Sequence, residues 1–320
     1  MDDFRPLSRN PHLQTIWQTL FRRSGRIEGM ASETWETRDG DVIDVDLLAE
    51  KPGRPGVIVL HGLEGSSRAR YVQGVVFAAN ARGWNAAAVN FRSCGPSTHR
   101  VPRTYHSGFT SDLAEVVTRL GAHWKSPIGL VGFSLGGNVT LKFLGERSAD
   151  SPVAAAVAVS VPFDLRACAA SLDGPGAWRR IYRTRFLRTL KRKALADARR
   201  FPDGPYDVVK IRAARTIRDF DHVGTARLFG FESAEDYYAR SSSAGFLAAI
   251  RTPALLLSAM DDPFIPLESI PRATIAANPA LTLRLVPHGG HVGFVGGSWM
   301  RPEYVAERIA IDFLASQFPP

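Results

Sequence analysis

Short apolar runs alternate with segments of helical periodicity over most of this chain, and the alternation limits the folds open to it. In the first half, the apolar runs cover residues 57–60, 85–90, 128–133 and 154–161, and the helical segments cover 71–82, 110–124 and 135–147. Two parallel strands need a crossover of a dozen or more residues, which is usually a helix. The alternation therefore predicts an α/β fold with a mostly parallel central sheet flanked by helices.

The alternation breaks after residue 161. Residues 162–245 are basic, aromatic and helical in pattern, with no strand-like run. Runs at 254–259 and 281–286 then predict strands, and segments 267–278 and 302–316 predict helices. We therefore predict that residues 1–161 and 246–320 form two parts of one core, and that residues 162–245 are a helical lid insertion. Such sheets bind ligands at the carboxyl ends of their strands, where the lid would lie.

The amino-terminal region is less informative. The first thirty residues are predicted to be irregular, with NPHLQTIWQTL, from Asn10, as their most apolar piece. The segment SETWETRDGDVIDVDLL alternates around Asp39-Gly40, which predicts a hairpin turn.

Composition excludes several classes of protein. The chain has 320 residues, of which 45% are hydrophobic, so it can bury a large core and is not disordered or fibrous. Its two cysteines, Cys94 and Cys168, form neither a metal-ligand spacing nor a disulfide framework. The amino end does not resemble a secretory signal, and the longest apolar stretch, from Val153, is too short to span a membrane. We expect a soluble, cytoplasmic protein.

The net charge of +9 is unevenly distributed, because arginine and lysine are dense from Trp178 to Arg200. A solvated helical face is the simplest interpretation. Attraction to acidic substrates or peripheral contact with an anionic membrane is the second. Nucleic-acid binding is not expected, because no recognition fold or aromatic platform accompanies the charge.

The motif Gly132-Phe133-Ser134-Leu135-Gly136 lies between a predicted strand and a predicted helix. This G-x-S-x-G context is typical of a nucleophile elbow, in which a serine hydroxyl is exposed on a strained turn. The amide of Leu135, at the start of the helix, would then face a developing oxyanion. A tight packing turn without chemistry is the alternative.

A second motif, HGLEGSS, follows the predicted strand at 57–60. Its His-Gly turn can direct a backbone amide into the same pocket, and by position that amide belongs to Leu63. Leu63 and Leu135 would form a two-donor oxyanion hole. His61 is interpreted as structural, and a glycine-rich turn without a role is the alternative.

Candidates for the acid and the base follow the last two predicted strands. AMDDPFIP offers Asp262, with Asp261 as its rival, and VPHGGHVGF offers His291, with His288 as its rival. The order Ser, Asp, His is the one that α/β-hydrolases use, which favours Ser134, Asp262 and His291.

With these residues identified, nearly the whole chain resembles the YheT-like family of the α/β-hydrolase superfamily, which is related to animal lipid-active α/β-hydrolase-domain proteins. The resemblance is carried by NPHLQTIW, HGLEGSSRARY, NFRSCGPS, YHSGFTSDL, GFSLGGN, FDHVGTARLFGF, DDPFIP and GGHVGF. It implies a serine carboxylesterase or lipase-type hydrolase of small-molecule or lipid esters. The family's triad falls on Ser134, Asp262 and His291, with no metal and no organic cofactor.

Two other functions remain open at this point. The same acyl-enzyme could pass its acyl group to an alcohol, which would make the protein an acyltransferase. The triad could also be a relict in a protein that only binds a ligand.

Overall fold

The computed structural model describes residues 4–22, 27–48 and 51–318. The strands are, in chain order, β1 (Met30–Glu36), β2 (Val42–Leu48), β3 (Gly56–Leu60), β4 (Asn85–Asn90), β5 (Ile128–Phe133), β6 (Ala155–Val159), β7 (Ala254–Ala259), β8 (Leu281–Val286), β9 (Val295–Gly297) and β10 (Pro302–Tyr304). The helices are α1 (Pro11–Phe21), α2 (Arg70–Ala81), α3 (Ser111–Trp124), α4 (Leu135–Arg147), α5 (Leu165–Asp173), α6 (Ala177–Arg200), α7 (Val208–Ala213), α8 (Ile217–Phe220), α9 (Ala226–Phe229), α10 (Ala234–Ser241), α11 (Arg272–Ala277) and α12 (Val305–Gln317).

One eight-stranded sheet organises the chain, in the order β1-β2-β4-β3-β5-β6-β7-β8. Strands β1 and β2 form an antiparallel hairpin, and β2 pairs antiparallel with β4. The six strands β3 to β8 all run parallel to one another. The predicted α/β-hydrolase fold, a mostly parallel sheet flanked by helices, is confirmed.

Side chains of each central strand alternate between two cores. Val57 and Val59 of β3 pack with the apolar faces of α2 and α12, whereas Ile58 and Leu60 pack with α3 and α4. Because both faces of the sheet are covered by helices, these strands are apolar along their whole length. The covered sheet leaves its carboxyl edge as the place where loops can form a site.

The segment between β6 and β7 is helical, and it carries α5 to α10 with a π-helical turn at Asp221–Thr225. Its buried side chains, including Leu165, Leu172, Ile217 and Phe220, join the core on the α3 and α4 side of the sheet. The helical pattern expected for residues 162–245 is therefore present. Its function as a lid, and these boundaries, stay predictions.

The predictions were wrong in three places. Residues 11–21, expected to be irregular, form α1, whose first turn is capped by the Asn10 side chain and begins with Pro11. Residues 302–304 belong to β10 instead of the final helix, because they pair with β9. Residues 267–278 divide into a 3₁₀ turn and α11, because Pro271 separates them.

Candidate active site

Three side chains from three loops are joined by hydrogen bonds at the carboxyl edge of the sheet. Ser134 follows β5, Asp262 follows β7 and His291 follows β8. The Oγ atom of Ser134 lies 2.8 Å from Nε2 of His291, and Nδ1 of His291 lies 2.9 Å from Oδ2 of Asp262. With its proton on Nδ1, the imidazole donates to the carboxylate and accepts from the serine hydroxyl.

The turn that presents Ser134 is strained. Its φ of 52° and ψ of −119° lie outside the regions that non-glycine residues usually adopt. The turn is fixed on both sides, because the Ser134 amide donates to the Val159 carbonyl and the Asn138 amide donates to the Ser134 carbonyl. Gly136 is required here, since a Cβ atom at this position would lie 2.6 Å from the carbonyl oxygen of His61.

The two adjacent aspartates, Asp261 and Asp262, have different hydrogen-bond partners. Oδ1 of Asp262 accepts from the amides of Phe264 and Ile265, which leaves Oδ2 directed at His291. Asp261 accepts from the amides of Gly289 and Gly290.

The rival histidine is paired with the rival aspartate. Nδ1 of His288 lies 3.2 Å from Asp261, and its side chain is 35% exposed, against 8% for His291. His291 lines the pocket beside Ser134, and His288 does not. The structure therefore joins Ser134 to His291 and Asp262.

The HGLEGSS turn lies directly against the serine, because a Cβ atom on Gly62 would be 3.1 Å from Cβ of Ser134. The Gly62 amide donates to the Tyr71 hydroxyl and the Glu64 amide donates to the Tyr105 hydroxyl. Over the described part of the chain, the amide of Leu63 between them has no acceptor, and neither has the amide of Leu135. Both residues line the pocket that contains Ser134.

His61 is engaged by backbone through both ring nitrogens. Nε2 accepts from the Phe91 amide at 3.1 Å, so Nδ1 carries the proton and donates to the Gly62 carbonyl at 2.7 Å. Burial lowers the pKa of His61 to about 4, which keeps the ring neutral. These contacts fit the structural role that the sequence suggested.

Sequence reasoning missed the tyrosines that hold this turn. Tyr71 and Tyr105 both lie within motifs that carry the family resemblance, HGLEGSSRARY and YHSGFTSDL, but nothing in those motifs shows which amides they bind. It also missed Phe264, whose ring centroid lies 4.5 Å from that of His291.

A cavity of about 240 Å³ extends from Ser134 beneath the helices that follow β6. Its walls there are mainly apolar, and include Leu165, Leu172, Phe186, Leu190, Ile217 and Phe220. Such a cavity can hold a hydrocarbon chain next to the serine hydroxyl.

Three carboxyl groups interrupt the apolar lining, those of Glu64, Asp197 and Asp221, and Asp221 lies among the helices that follow β6. Asp221 accepts hydrogen bonds from the Tyr238 hydroxyl at 2.7 Å and the Thr225 hydroxyl at 2.9 Å. Burial raises its pKa to about 6, and these two hydrogen bonds oppose the shift. Among the described residues, no lysine or arginine pairs with it.

The outer face of α6 is strongly basic. Exposed arginines without a carboxylate partner in the described ranges are Arg179, Arg180, Arg185, Arg188, Arg192, Arg199 and Arg200. Trp178 and Ile181 are also exposed on this helix, at 43% and 55%. In the portion of the chain that the structure describes, no helix has the length and apolar character to cross a bilayer.

The fold and the hydrogen-bonded serine, histidine and aspartate together define the α/β-hydrolase class. Comparison with known families agrees, since residues 55–298 match the alpha/beta hydrolase fold family, to which the chain belongs.

Its relatives show to which branch of the α/β-hydrolase superfamily the chain belongs. The chain is 36% identical to YheT of Escherichia coli over 312 residues, which cover 96% of this chain and 91% of that protein. It is 29% identical to phospholipase ABHD3 of Homo sapiens, over 98% and 81% of the two chains, and 34% identical to monoacylglycerol lipase of Saccharomyces cerevisiae, over 77% and 56%. The predicted membership of the YheT-like family is confirmed.

Solved structures support the fold independently. An esterase of Pyrococcus furiosus, Pf2001, superposes with a TM-score of 0.61 at 19% identity, over 93% of this chain and 97% of that one. The α/β-hydrolase GrgF of a Penicillium species gives the same TM-score and identity, over 90% and 99%.

Proposed function

We propose that Ser134 attacks carboxylic esters and forms an acyl-enzyme, with His291 as the general base and Asp262 as its orienting acid. That the protein is a carboxylic ester hydrolase follows from its family and relatives. The observation that carries the mechanism is the continuous line of hydrogen bonds from Ser134 through His291 to Asp262.

The first half of the reaction transfers the acyl group to the enzyme. Nε2 of His291 removes the Ser134 proton as Oγ attacks the ester carbonyl carbon. Asp262 holds the imidazole in the tautomer that can accept this proton, and it stabilises the imidazolium that forms. His291 then protonates the leaving alcohol, and the acyl group stays on Ser134.

The tetrahedral intermediate needs donors for its oxyanion, and we assign this role to the amides of Leu63 and Leu135. Leu135 follows Ser134 directly and Leu63 lines the same pocket, and neither amide donates to a protein acceptor among the residues described. Loss of one such donor typically costs about 2.7–4 kcal/mol of transition-state stabilisation.

In the second half, His291 removes a proton from water, which attacks the acyl carbon. The amides of Leu63 and Leu135 again stabilise the oxyanion. His291 then returns the proton to Oγ of Ser134 as the bond between Oγ and the acyl carbon breaks, which releases the acid and restores the free enzyme. The apolar cavity beneath residues 162–245, the proposed lid, favours esters with short or medium acyl chains and lipid esters.

A panel of p-nitrophenyl esters of increasing acyl length tests this proposal. We expect the wild type to hydrolyse them, and Ser134→Ala to lose at least about a thousandfold in rate, because triad members act as a unit. Thr118→Val, on the exposed face of α3, is a control that should keep full activity. Equal rates for Ser134→Ala and the wild type would contradict the proposal.

We further propose that the exposed face of α6 contacts anionic lipid surfaces. Its arginines are not neutralised by carboxylates among the described residues, and the exposed Trp178 and Ile181 lie on the same helix. Basic and aromatic side chains on one helical surface suit the interface of a bilayer.

A further inference from the structure

The loop that carries His291 adopts an unfavourable backbone. Three residues in it have positive φ, at 58° for Gly290, 59° for Val292 and 45° for Phe294. For the two non-glycine residues this conformation is costly, and for β-branched Val292 it is especially rare. The loop therefore needs contacts from outside to keep the imidazole in place.

Helix α1 provides these contacts through three polar side chains. The Gln14 side chain donates to the Val295 carbonyl at 2.9 Å and accepts from the Val295 amide at 2.8 Å. The Thr15 hydroxyl accepts from the His291 amide at 2.9 Å. The Gln18 amide donates to the carbonyls of Val292 and Gly293 at 3.1 and 3.2 Å.

These contacts are buried and close. Gln14 is 2% exposed and Gln18 is 5% exposed. If the loop moved away, the Gln14 Oε1 atom would lose its donor and the Gln18 Nε2 atom would lose both of its acceptors, which is costly for buried groups. A Cβ atom on Gly290 would lie 2.4 Å from the carbonyl oxygen of Pro11, so the helix backbone touches the loop. Helix and loop therefore form one packed unit.

We propose that α1 positions the His291 loop, with Gln14, Thr15 and Gln18 as positioning residues for the imidazole. None of the three hydrogen-bonds to Ser134, and they act through the backbone of residues 291–295. The inference rests on the proposed function, because it concerns the geometry of the proposed base. It assigns a role to the NPHLQTIW motif, which the triad does not use.

Thr15 gives the sharpest variant. Its hydroxyl donates to the Pro11 carbonyl within α1 and accepts from the His291 amide. Thr15→Val keeps the shape but removes the acceptor, whereas Thr15→Ser keeps the acceptor. Thr118 of α3 makes the same bond within its helix, to Ala114, and does not contact the loop, so Thr118→Val is the matched control.

The measurement is the first-order rate constant for labelling of Ser134 by a fluorophosphonate. A misfolded fraction lowers the amplitude of labelling, whereas a displaced base lowers the rate constant of the folded fraction. Displacement of a catalytic group by about 1 Å can cost a hundredfold in rate. We therefore expect Thr15→Val to react at least about tenfold more slowly than Thr118→Val, and Thr15→Ser to react like the wild type.

Two results would overturn the inference in different ways. If Ser134 is labelled and Thr15→Val reacts as fast as Thr118→Val, α1 does not position His291 and the proposed function stands. If Ser134 of the folded wild type is not labelled, the proposed function and the positioning role fail together. Should Thr15→Val not fold, Gln18→Met removes a different donor to the same loop and is judged by the same rate constant.

Discussion

At the scale of residues, Asp261 and Asp262 show what sequence can and cannot predict. The order Ser, Asp, His and the position after β7 narrow the acid to these two neighbours. The loop backbone then turns the two carboxylates in different directions, one to the amides of Gly289 and Gly290 and the other to His291. The different directions of the two carboxylates depend on hydrogen bonds between loops that are distant in sequence, and no local sequence pattern reveals these bonds.

The two carboxylates can be separated experimentally. We expect Asp262→Asn to reduce kcat by about ten-thousandfold, the cost of the equivalent change in a Ser-His-Asp protease, because the imidazole would lose its orienting acceptor. Asp261→Asn should cost much less, since its carboxylate binds loop amides and His288. Steady-state kinetics on a p-nitrophenyl ester would measure both, and a larger loss in Asp261→Asn would reverse our assignment.

At the scale of elements, strands were predicted better than the ends of the chain. Several strands agree with the predicted bounds, including β4, β5, β7 and β8. In β4, β5 and β7 every residue is buried, which leaves a mainly apolar run, whereas the partly exposed edge strand β8 alternates between apolar and polar residues. Helix α1 was missed because its buried face is partly polar, with Gln14 and Gln18 bound to a distant loop. Tertiary hydrogen bonds, which periodicity does not reveal, explain that helix.

The π-helical turn after α8 allows a test by pH. Burial raises the pKa of Asp221 from its ordinary 3.8 to about 6, so between these values the folded protein binds this proton more readily than the unfolded chain. Stability from this group is therefore present below about pH 4 and is lost as the pH rises to about 6.

Asp221→Asn removes that titration. As the pH rises from 4 to 7, the wild type should lose the stability contributed by this group, whereas Asp221→Asn should not. In thermal melts of both proteins, the difference in melting temperature, variant minus wild type, should therefore become more positive over this range. Asp150→Asn, at an exposed carboxyl group, is the control and should show a constant difference. A constant difference for Asp221→Asn as well would show that this carboxyl is not desolvated.

At the scale of the whole molecule, the site is assembled from parts far apart in sequence. Leu63, Ser134, Asp262 and His291 follow four different strands, and the common direction of those strands brings them to one edge. The alternation of elements predicts that edge, and therefore which residues can meet. It does not predict the packing of residues 162–245 that shapes the cavity above them.

The charge distribution also belongs to this scale. We expect the protein to bind vesicles containing an anionic lipid at low salt, and binding to weaken steeply as salt rises, because exposed charges are screened. Arg180→Gln with Arg185→Gln should weaken binding about tenfold or more, at roughly 1 kcal/mol per basic residue. The control is Arg54→Gln with Arg272→Gln, two exposed arginines outside α6, which should leave vesicle binding unchanged. If the wild type does not bind these vesicles at low salt, the basic face of α6 is only a solvated surface.

The central claim is that Ser134 is a nucleophile activated by His291 and Asp262. Its most direct test is mass spectrometry of the folded protein after reaction with a fluorophosphonate at neutral pH. We expect one adduct, on Ser134, which forms much more slowly in His291→Ala and is absent from Ser134→Ala. A folded protein that acquires no adduct, or acquires it on another residue, would contradict the account.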